Sequence, residues 1–154
     1  MRPRSLSTMD IVHILQRQKP HAVATMGPME GKGAITGCVS FYDTCAGTLV
    51  TAAIQGLPQT ETNVFAMHIH AGETCQSPDG HLNPENRPHP LHRGDLPPLF
   101  SNRGCAWSAV VTDRLRTCDI IGKTVILHAG PDDFTTQPSG NSGPMIGCGV
   151  IRSM

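Results

Sequence analysis

The stretches GAITGCVSFYD (residues 33–43) and GTLVTAAIQGL (residues 47–57) decide the fold class. Each is a short run of apolar and β-branched residues bounded by small residues. The turn between them, Asp43 to Gly47, is itself made of small residues, so the pair reads as a β-hairpin. The same signal recurs in HAVATM (21–26), NVFAMHIH (63–70), GCAWSAVVTD (104–113), KTVILH (123–128) and MIGCGVI (145–151). Seven or eight short strands with turn-rich connections predict an all-β fold, a Greek-key β-barrel or sandwich of about eight strands.

One segment departs from this pattern. From Ser7 onward Ile11, Val12, Ile14 and Leu15 recur at helical spacing, with Ser7 or Thr8 as cap and Pro20 as stop. Residues 1–20 therefore read as a short N-terminal helical extension, and residues 21–154 as one domain. A chain of 154 residues is long enough for one real core and short for two. The 16 glycines and 13 prolines, against 4% aromatics, favour short elements and tight turns over long helices.

Charge excludes several partner classes. Twelve basic and twelve acidic residues cancel, so nothing in the balance points to nucleic acid or to an anionic membrane surface. Attraction of a charged ligand has to be local. No apolar run approaches the roughly 18 residues of a membrane span. The N-terminus makes a poor signal peptide, because Asp10, His13 and Gln16 interrupt its apolar residues and no small-residue cleavage site follows. The expected location is cytoplasmic, or periplasmic or secreted if a precursor is trimmed before this start. A homodimer is compatible with the sequence, since apolar strand faces serve a core and an interface equally well.

Two connections, 71–103 and 129–144, are unusually long, and both leave strands that end in histidine. Long loops inside a compact domain are usually functional. In a strand, alternate side chains share a face, so His68 and His70 of the HIH triplet point the same way. Alone, that triplet describes two satisfied strand histidines as well as it describes a ligand pair. His128, at the end of another strand, and His81, early in the long loop, bring the imidazoles to four. HLNPENRPHPLHRGD (81–95) then adds His89, His92 and Asp95 in a proline-studded segment without hydrophobic period. Six of the eight histidines fall in this set, leaving His13 and His21 for surface or packing roles. The set predicts a metal site, with bound metal organising a loop that burial cannot hold.

The motifs HIH, GHLNP, HRGD, IIGKTVILHAGPDD and SGNSG followed by CGVI, in this order and context, resemble the copper/zinc superoxide dismutase family over nearly all of residues 20–151. Its sandwich fold and near-diffusion-limited catalysis are properties of that family, inherited with the resemblance. The resemblance implies copper on His68, His70, His81 and His128, and zinc on His81, His89, His92 and Asp95, with His81 bridging the metals and acting in catalysis. An all-imidazole set suits Cu(II), and a closed histidine–carboxylate tetrahedron suits Zn(II). Only Pro90 and Leu91 separate His89 from His92, as in a short-loop bacterial branch of the family.

Asp132 matches the family's carboxylate that hydrogen-bonds one copper and one zinc histidine, a role ligating imidazoles require; a turn-capping aspartate is the alternative, and Asp133 reads as solvated. Cys75 and Cys148 match the family's intrasubunit disulfide, worth about 4 kcal/mol in the chain-entropy account. The other cysteines, at 38, 45, 105 and 118, read as small buried apolar residues.

The resemblance fails at one position. Where the family carries an arginine that attracts superoxide, counting back from Cys148 gives Met145. Loss of a charge-assisted contact is worth roughly 1.5 to 3 kcal/mol, a slowing of about one to two orders of magnitude. Either methionine fills the space, with Arg93, Arg103 or Lys123 as substitute cations, or its soft thioether faces copper and favours Cu(I). The implied function is superoxide dismutation by Cu(II)/Cu(I) cycling, with superoxide anion as substrate. The alternatives are a non-catalytic copper-binding or copper-handling protein and, with less support because the zinc set lacks a vacant position, a zinc hydrolase.

Overall fold

A computed structural model describes residues 5–31 and 33–154. Helix α1 (Thr8–Arg17) starts where its cap predicts: the Asp10 N–H donates to the Ser7 hydroxyl at 3.2 Å and the Ser7 N–H donates to the Asp10 carboxylate at 2.8 Å. Its apolar stripe, Ile11, Ile14 and Leu15, packs on Tyr42, Leu49 and Val111. Residues 1–4 of the expected extension lie outside the described residues. No described helix is long and apolar enough to cross a membrane.

Nine strands follow among the described residues: β1 (Ala22–Pro28), β2 (Thr36–Thr44), β3 (Gly47–Gln55), β4 (Val64–Phe65), β5 (Met67–His70), β6 (Leu99–Phe100), β7 (Ala106–Thr112), β8 (Thr124–His128) and β9 (Met145–Ser153), with a short helix α2 (Thr117–Ile120) before β8. Seven of them form one curled antiparallel sheet in the order β5-β8-β9-β1-β2-β3-β7, whose non-sequential neighbours are those of a Greek key. The hairpin that opens the sequence reading is β2–β3, in register from Thr44 opposite Gly47 to Thr36 opposite Gln55.

Two details differ from expectation. The run 63–70 is two strands, because Ala66 turns its backbone to other partners: its N–H donates to the Gly130 carbonyl at 2.8 Å and its carbonyl accepts the His128 N–H at 2.9 Å. Leu99–Phe100, too short to show a period, pairs with Val64–Phe65.

Strand alternation sorts the side chains between core and site. Phe41, Val50, Ile54, Phe65, Met67, Ile69, Val125 and Leu127 all enter the main core. Between Met67 and Ile69, and immediately after Ile69, His68 and His70 point to the opposite face of β5. They are nonetheless buried, at 0% and 2% exposure, because the two long loops cover that face.

Away from the site, Asp43 joins the β2–β3 turn to α2. Its carboxylate accepts the Thr117 N–H at 3.1 Å, the Thr117 hydroxyl, and the Thr48 hydroxyl at 3.0 Å. Burial alone raises this carboxyl's pKa, but the hydrogen bonds from Thr117 and Thr48 outweigh it and hold the pKa below the ordinary value. A lowered folded pKa contributes stability that is present above the unfolded pKa of about 3.9 and is lost as pH falls through the folded one. We therefore expect Asp43→Asn to lose about 1 to 2 kcal/mol in urea unfolding at pH 7. The gap to wild type should narrow below about pH 4; a gap independent of pH contradicts this assignment.

Candidate metal centre

The loop from Ala71 to Pro98 begins as an extension of β5's free edge. The Ile69 N–H donates to the Gly94 carbonyl at 2.8 Å, the Leu82 N–H donates to the Ile69 carbonyl at 2.8 Å, and the Gly94 N–H donates to the Leu82 carbonyl at 2.9 Å. Gly94 sits so close that a Cβ there would stand 2.1 Å from the Ile69 carbonyl oxygen. These contacts set His81 opposite His70 and Asp95 opposite His68. Leu82 and Leu96 then drop into the main core at 8% and 4% exposure. Burial thus contributes to holding this loop, contrary to the expectation from its missing period: two isolated leucines suffice when the edge strand supplies the backbone partners.

Four imidazoles converge at the end of β5 and β8. One nitrogen from each of His68, His70, His81 and His128 lies within 4.8 Å of all the others. Each ring is oriented through its other nitrogen. His68 Nε2 pairs with Asp132 Oδ2 at 2.8 Å, His70 Nδ1 donates to the Asp79 carbonyl at 2.7 Å, and His128 Nδ1 donates to the Gly143 carbonyl at 3.1 Å. What is left over is informative: His68 Nδ1, His70 Nε2, His81 Nε2 and His128 Nε2 are buried without a hydrogen-bond partner. Four orphaned lone-pair donors facing one point are costly unless a cation takes them. Burial, the largest cause, lowers the pKa of His68, of His128, and of His70 to about 4, so these rings stay neutral and ready to ligate near pH 7.

A second group shares His81. His81 Nδ1 lies 2.8 Å from Asp95 Oδ1 and 3.3 Å from His92 Nδ1; His89 Nδ1 lies 3.1 Å from Asp95 Oδ2, and His92 Nδ1 lies 3.4 Å from Asp95 Oδ1. Ligands at about 2.0–2.1 Å from a tetrahedral zinc stand about 3.3–3.4 Å apart, so this cage is close to the size zinc needs. His81 and His92 turn ring nitrogens toward each other, an arrangement that a shared cation explains directly. The short Pro90–Leu91 connection is accommodated by a turn in which the Leu91 N–H donates to the Pro88 carbonyl at 2.9 Å.

Asp132 joins the two groups, as its motif implies. Its carboxylate accepts from His68 Nε2 and from His89 Nε2, each at 2.8 Å, and from the Phe134 N–H at 2.7 Å. Burial raises its pKa, but the His89 and His68 contacts outweigh burial and the net shift is downward. Gly140 makes room for it: at φ +71°, a Cβ would lie 2.0 Å from Asp132 Oδ1 and 2.7 Å from His89 Nε2. Asp133 is more than a solvated residue, because its carboxylate accepts the Thr135 and Thr136 N–H groups at 2.9 and 2.8 Å and so caps the next turn.

These two cages resting on one curled Greek-key sheet decide the family. The sequence profile described as copper/zinc superoxide dismutase (SODC) matches residues 35–151. The chain belongs to the copper/zinc superoxide dismutase family. It is 34% identical to the Escherichia coli K12 superoxide dismutase [Cu-Zn], over 80% of this chain and 82% of that protein. It is 30% identical to superoxide dismutase [Cu-Zn] 2 of Aquifex aeolicus, over 79% and 81%. A superoxide dismutase-like protein from Bacillus subtilis, solved by crystallography, aligns with TM-score 0.72 at 26% identity, covering 84% of this chain and 97% of that one. As a member of this family the chain is a metal-dependent oxidoreductase whose two cages provide for copper and zinc.

The expected Cys75–Cys148 disulfide is formed and ties the start of the ligand loop to β9. The expectation that the other cysteines are buried is overturned: Cys45, in the β2–β3 turn, Cys105, in the turn before β7, and Cys118, on α2, are exposed, and Cys38 is half-buried. Turns and a short surface helix offer them no core to enter. His13 and His21 stay outside both cages; His13 is exposed and His21 Nδ1 accepts the Asp43 N–H at 3.2 Å.

Sequence reading missed two residues that hold the loop. Gln137 grips both backbone groups of His89: its Oε1 accepts the His89 N–H at 2.8 Å and its Nε2 donates to the His89 carbonyl at 2.7 Å. Arg114 Nη1 donates to the Pro90 carbonyl at 2.9 Å. Neither carries a local signal, since both act on main-chain atoms of a distant segment. Gln137 is exposed, so its truncation should leave the fold intact. We expect Gln137→Ala to weaken zinc binding about tenfold in competition with a chromogenic chelator, with Gln137→Glu, which keeps only the accepting half, in between. Equal zinc affinity in all three proteins contradicts this role.

Proposed function

We propose that the chain is a superoxide dismutase whose copper is held by His68, His70, His81 and His128 and whose zinc is held by His81, His89, His92 and Asp95. The observation that carries this reading is the set of four orphaned imidazole nitrogens beside a second cage that shares His81. When bound, copper supplies a one-electron Cu(II)/Cu(I) couple and zinc a closed tetrahedral anchor. The net conversion is two superoxide anions and two protons to oxygen and hydrogen peroxide. The protein's part is to hold the rings neutral, to fix their tautomers through Asp132, Asp79 and Gly143, and to hold a proton for the product. His81 Nε2, buried and without a hydrogen-bond partner, is the atom proposed for that proton.

Access is through a pocket of about 440 Å³ whose walls include His70, His81, His128, Asp79, Pro138 and Met145. No arginine or lysine lines it among the described residues. The three substitute cations are engaged or placed elsewhere. Arg93 pairs with Glu85 and with Asp119, the latter at 3.2 Å; Lys123 pairs with Glu73 at 3.5 Å; Arg103 lies in the turn leading into β7. The acidic side chain at this mouth is Asp79, so the lining side chains add no attraction for a small anion to that of the bound metals.

The second reading, a copper-handling protein without catalysis, is favoured by that missing cation. The chain is also 29% identical to the rat copper chaperone for superoxide dismutase, over 83% of this chain and 52% of that protein. Dismutation rate per bound copper, measured on protein of known copper and zinc content, separates the two. We expect a rate above that of free copper that is flat or rises with ionic strength, and a Met145→Arg variant that is about tenfold or more faster and slows with salt. A wild-type rate that falls steeply with salt contradicts the account of the mouth, and full copper occupancy with no activity in both proteins contradicts the enzyme.

A further inference from the structure

Met145 is the first residue of β9 and stands directly opposite His128 across the β8–β9 ladder. That pairing is produced by an irregularity. Leu127 faces Gly147 in regular register, but between Leu127 and His128 the register shifts, so Ile146 is the extra residue and Met145 becomes the partner of His128. Bulges of this kind re-aim a side chain beside an active site. Here Ile146 packs against the main core, while half-buried Met145 joins His128, His70 and His81 in the wall of one pocket.

Directly opposed residues on one face have Cβ atoms about 4.5–5.5 Å apart, and a methionine side chain is long and unbranched enough to bend across that gap. Two other polar side chains in this wall, Asn83 and Asp79, have partners of their own. Asn83 is spent on both backbone groups of Arg87, at 2.8 and 2.9 Å, and the Asp79 carboxylate accepts the Ser77 hydroxyl at 3.4 Å. His68, fully buried, closes the back of the cage. Among the residues that line this pocket, Met145 alone carries a soft, uncharged sulfur.

We propose that the Met145 thioether is a ligand for reduced copper, giving this site a selective affinity for Cu(I) over Cu(II). Thioether sulfur suits Cu(I), whereas imidazole accepts either state, so the added donor stabilises one oxidation state alone. The inference rests on the copper reading of the four-histidine cage. It names the form of the metal that the site retains, which would make the protein slow to give up an electron and suited to holding reduced copper.

The test is Cu(I) affinity by competition with a chromogenic Cu(I) chelator, on zinc-loaded protein under anaerobic ascorbate. Cys45, Cys105 and Cys118 are alkylated beforehand, because exposed thiols would also bind Cu(I). Wild type is compared with Met145→Leu, which keeps the volume, and with Met9→Leu on the exposed face of α1 as a control. We expect Met145→Leu to lose about tenfold or more in Cu(I) affinity, equivalent to about 59 mV in the one-electron potential, with Cu(II) affinity and zinc content unchanged. Copper K-edge absorption of the Cu(I) form should show a sulfur neighbour in wild type that is lost in Met145→Leu. Equal Cu(I) affinities overturn the proposal while leaving the copper site standing, as does a parallel fall in Cu(II) affinity, which would mark a packing effect. Failure of zinc-loaded wild type to bind one copper in either state overturns both the proposal and the copper reading on which it rests.

Discussion

One imidazole faces two cages, and the rest of the site is arranged around that fact. His81 offers Nδ1 to the group with His89, His92 and Asp95, and Nε2 to the group with His68, His70 and His128. Its side chain is 3% exposed, so neither nitrogen can fall back on bulk water. A ring with both nitrogens committed tolerates little rotation. Everything that fixes its position, the pairing with His70 on the edge of β5 and the contact with Asp95, therefore acts on both cages at once. Asp132 repeats the constraint from behind by joining His68 to His89.

The two long loops meet this demand by fastening to different parts of the barrel. The first is hydrogen-bonded along β5, inserts Leu82 and Leu96 into the core, and is linked to β9 through Cys75–Cys148. The second, Ala129 to Pro144, carries Asp132 and Gln137 and grips His89 through both its ring and its backbone. Each loop is thus held by contacts with the rest of the protein as well as by the ligand residues it carries. Neutral, buried imidazoles with lowered pKa values are what a metal cage needs near pH 7.

How much of this was legible in the sequence follows from the range of each interaction. Strand period and turn chemistry are local, so the hairpin at residues 33–57 and the face shared by His68 and His70 could be read directly. The ligand sets, Asp132 and the disulfide came from motif resemblance, and geometry then brought those residues together. Gln137 and Arg114 were illegible because a side chain bonding to main-chain atoms leaves no mark on the sequence of its partner. The exposed cysteines were misjudged because burial preference is a property of residue type, whereas Cys45, Cys105 and Cys118 sit in turns and on a surface helix. The bulge that pairs Met145 with His128 was equally hidden, since a register shift is decided across two strands.

The most direct test of the shared imidazole is anomalous diffraction at the copper and zinc absorption edges, on crystals of protein loaded with both metals. The account predicts two peaks, one of each element, on opposite sides of the His81 ring, with copper on the Nε2 side and zinc on the Nδ1 side. A single peak, or two peaks of which neither lies next to His81, would contradict it.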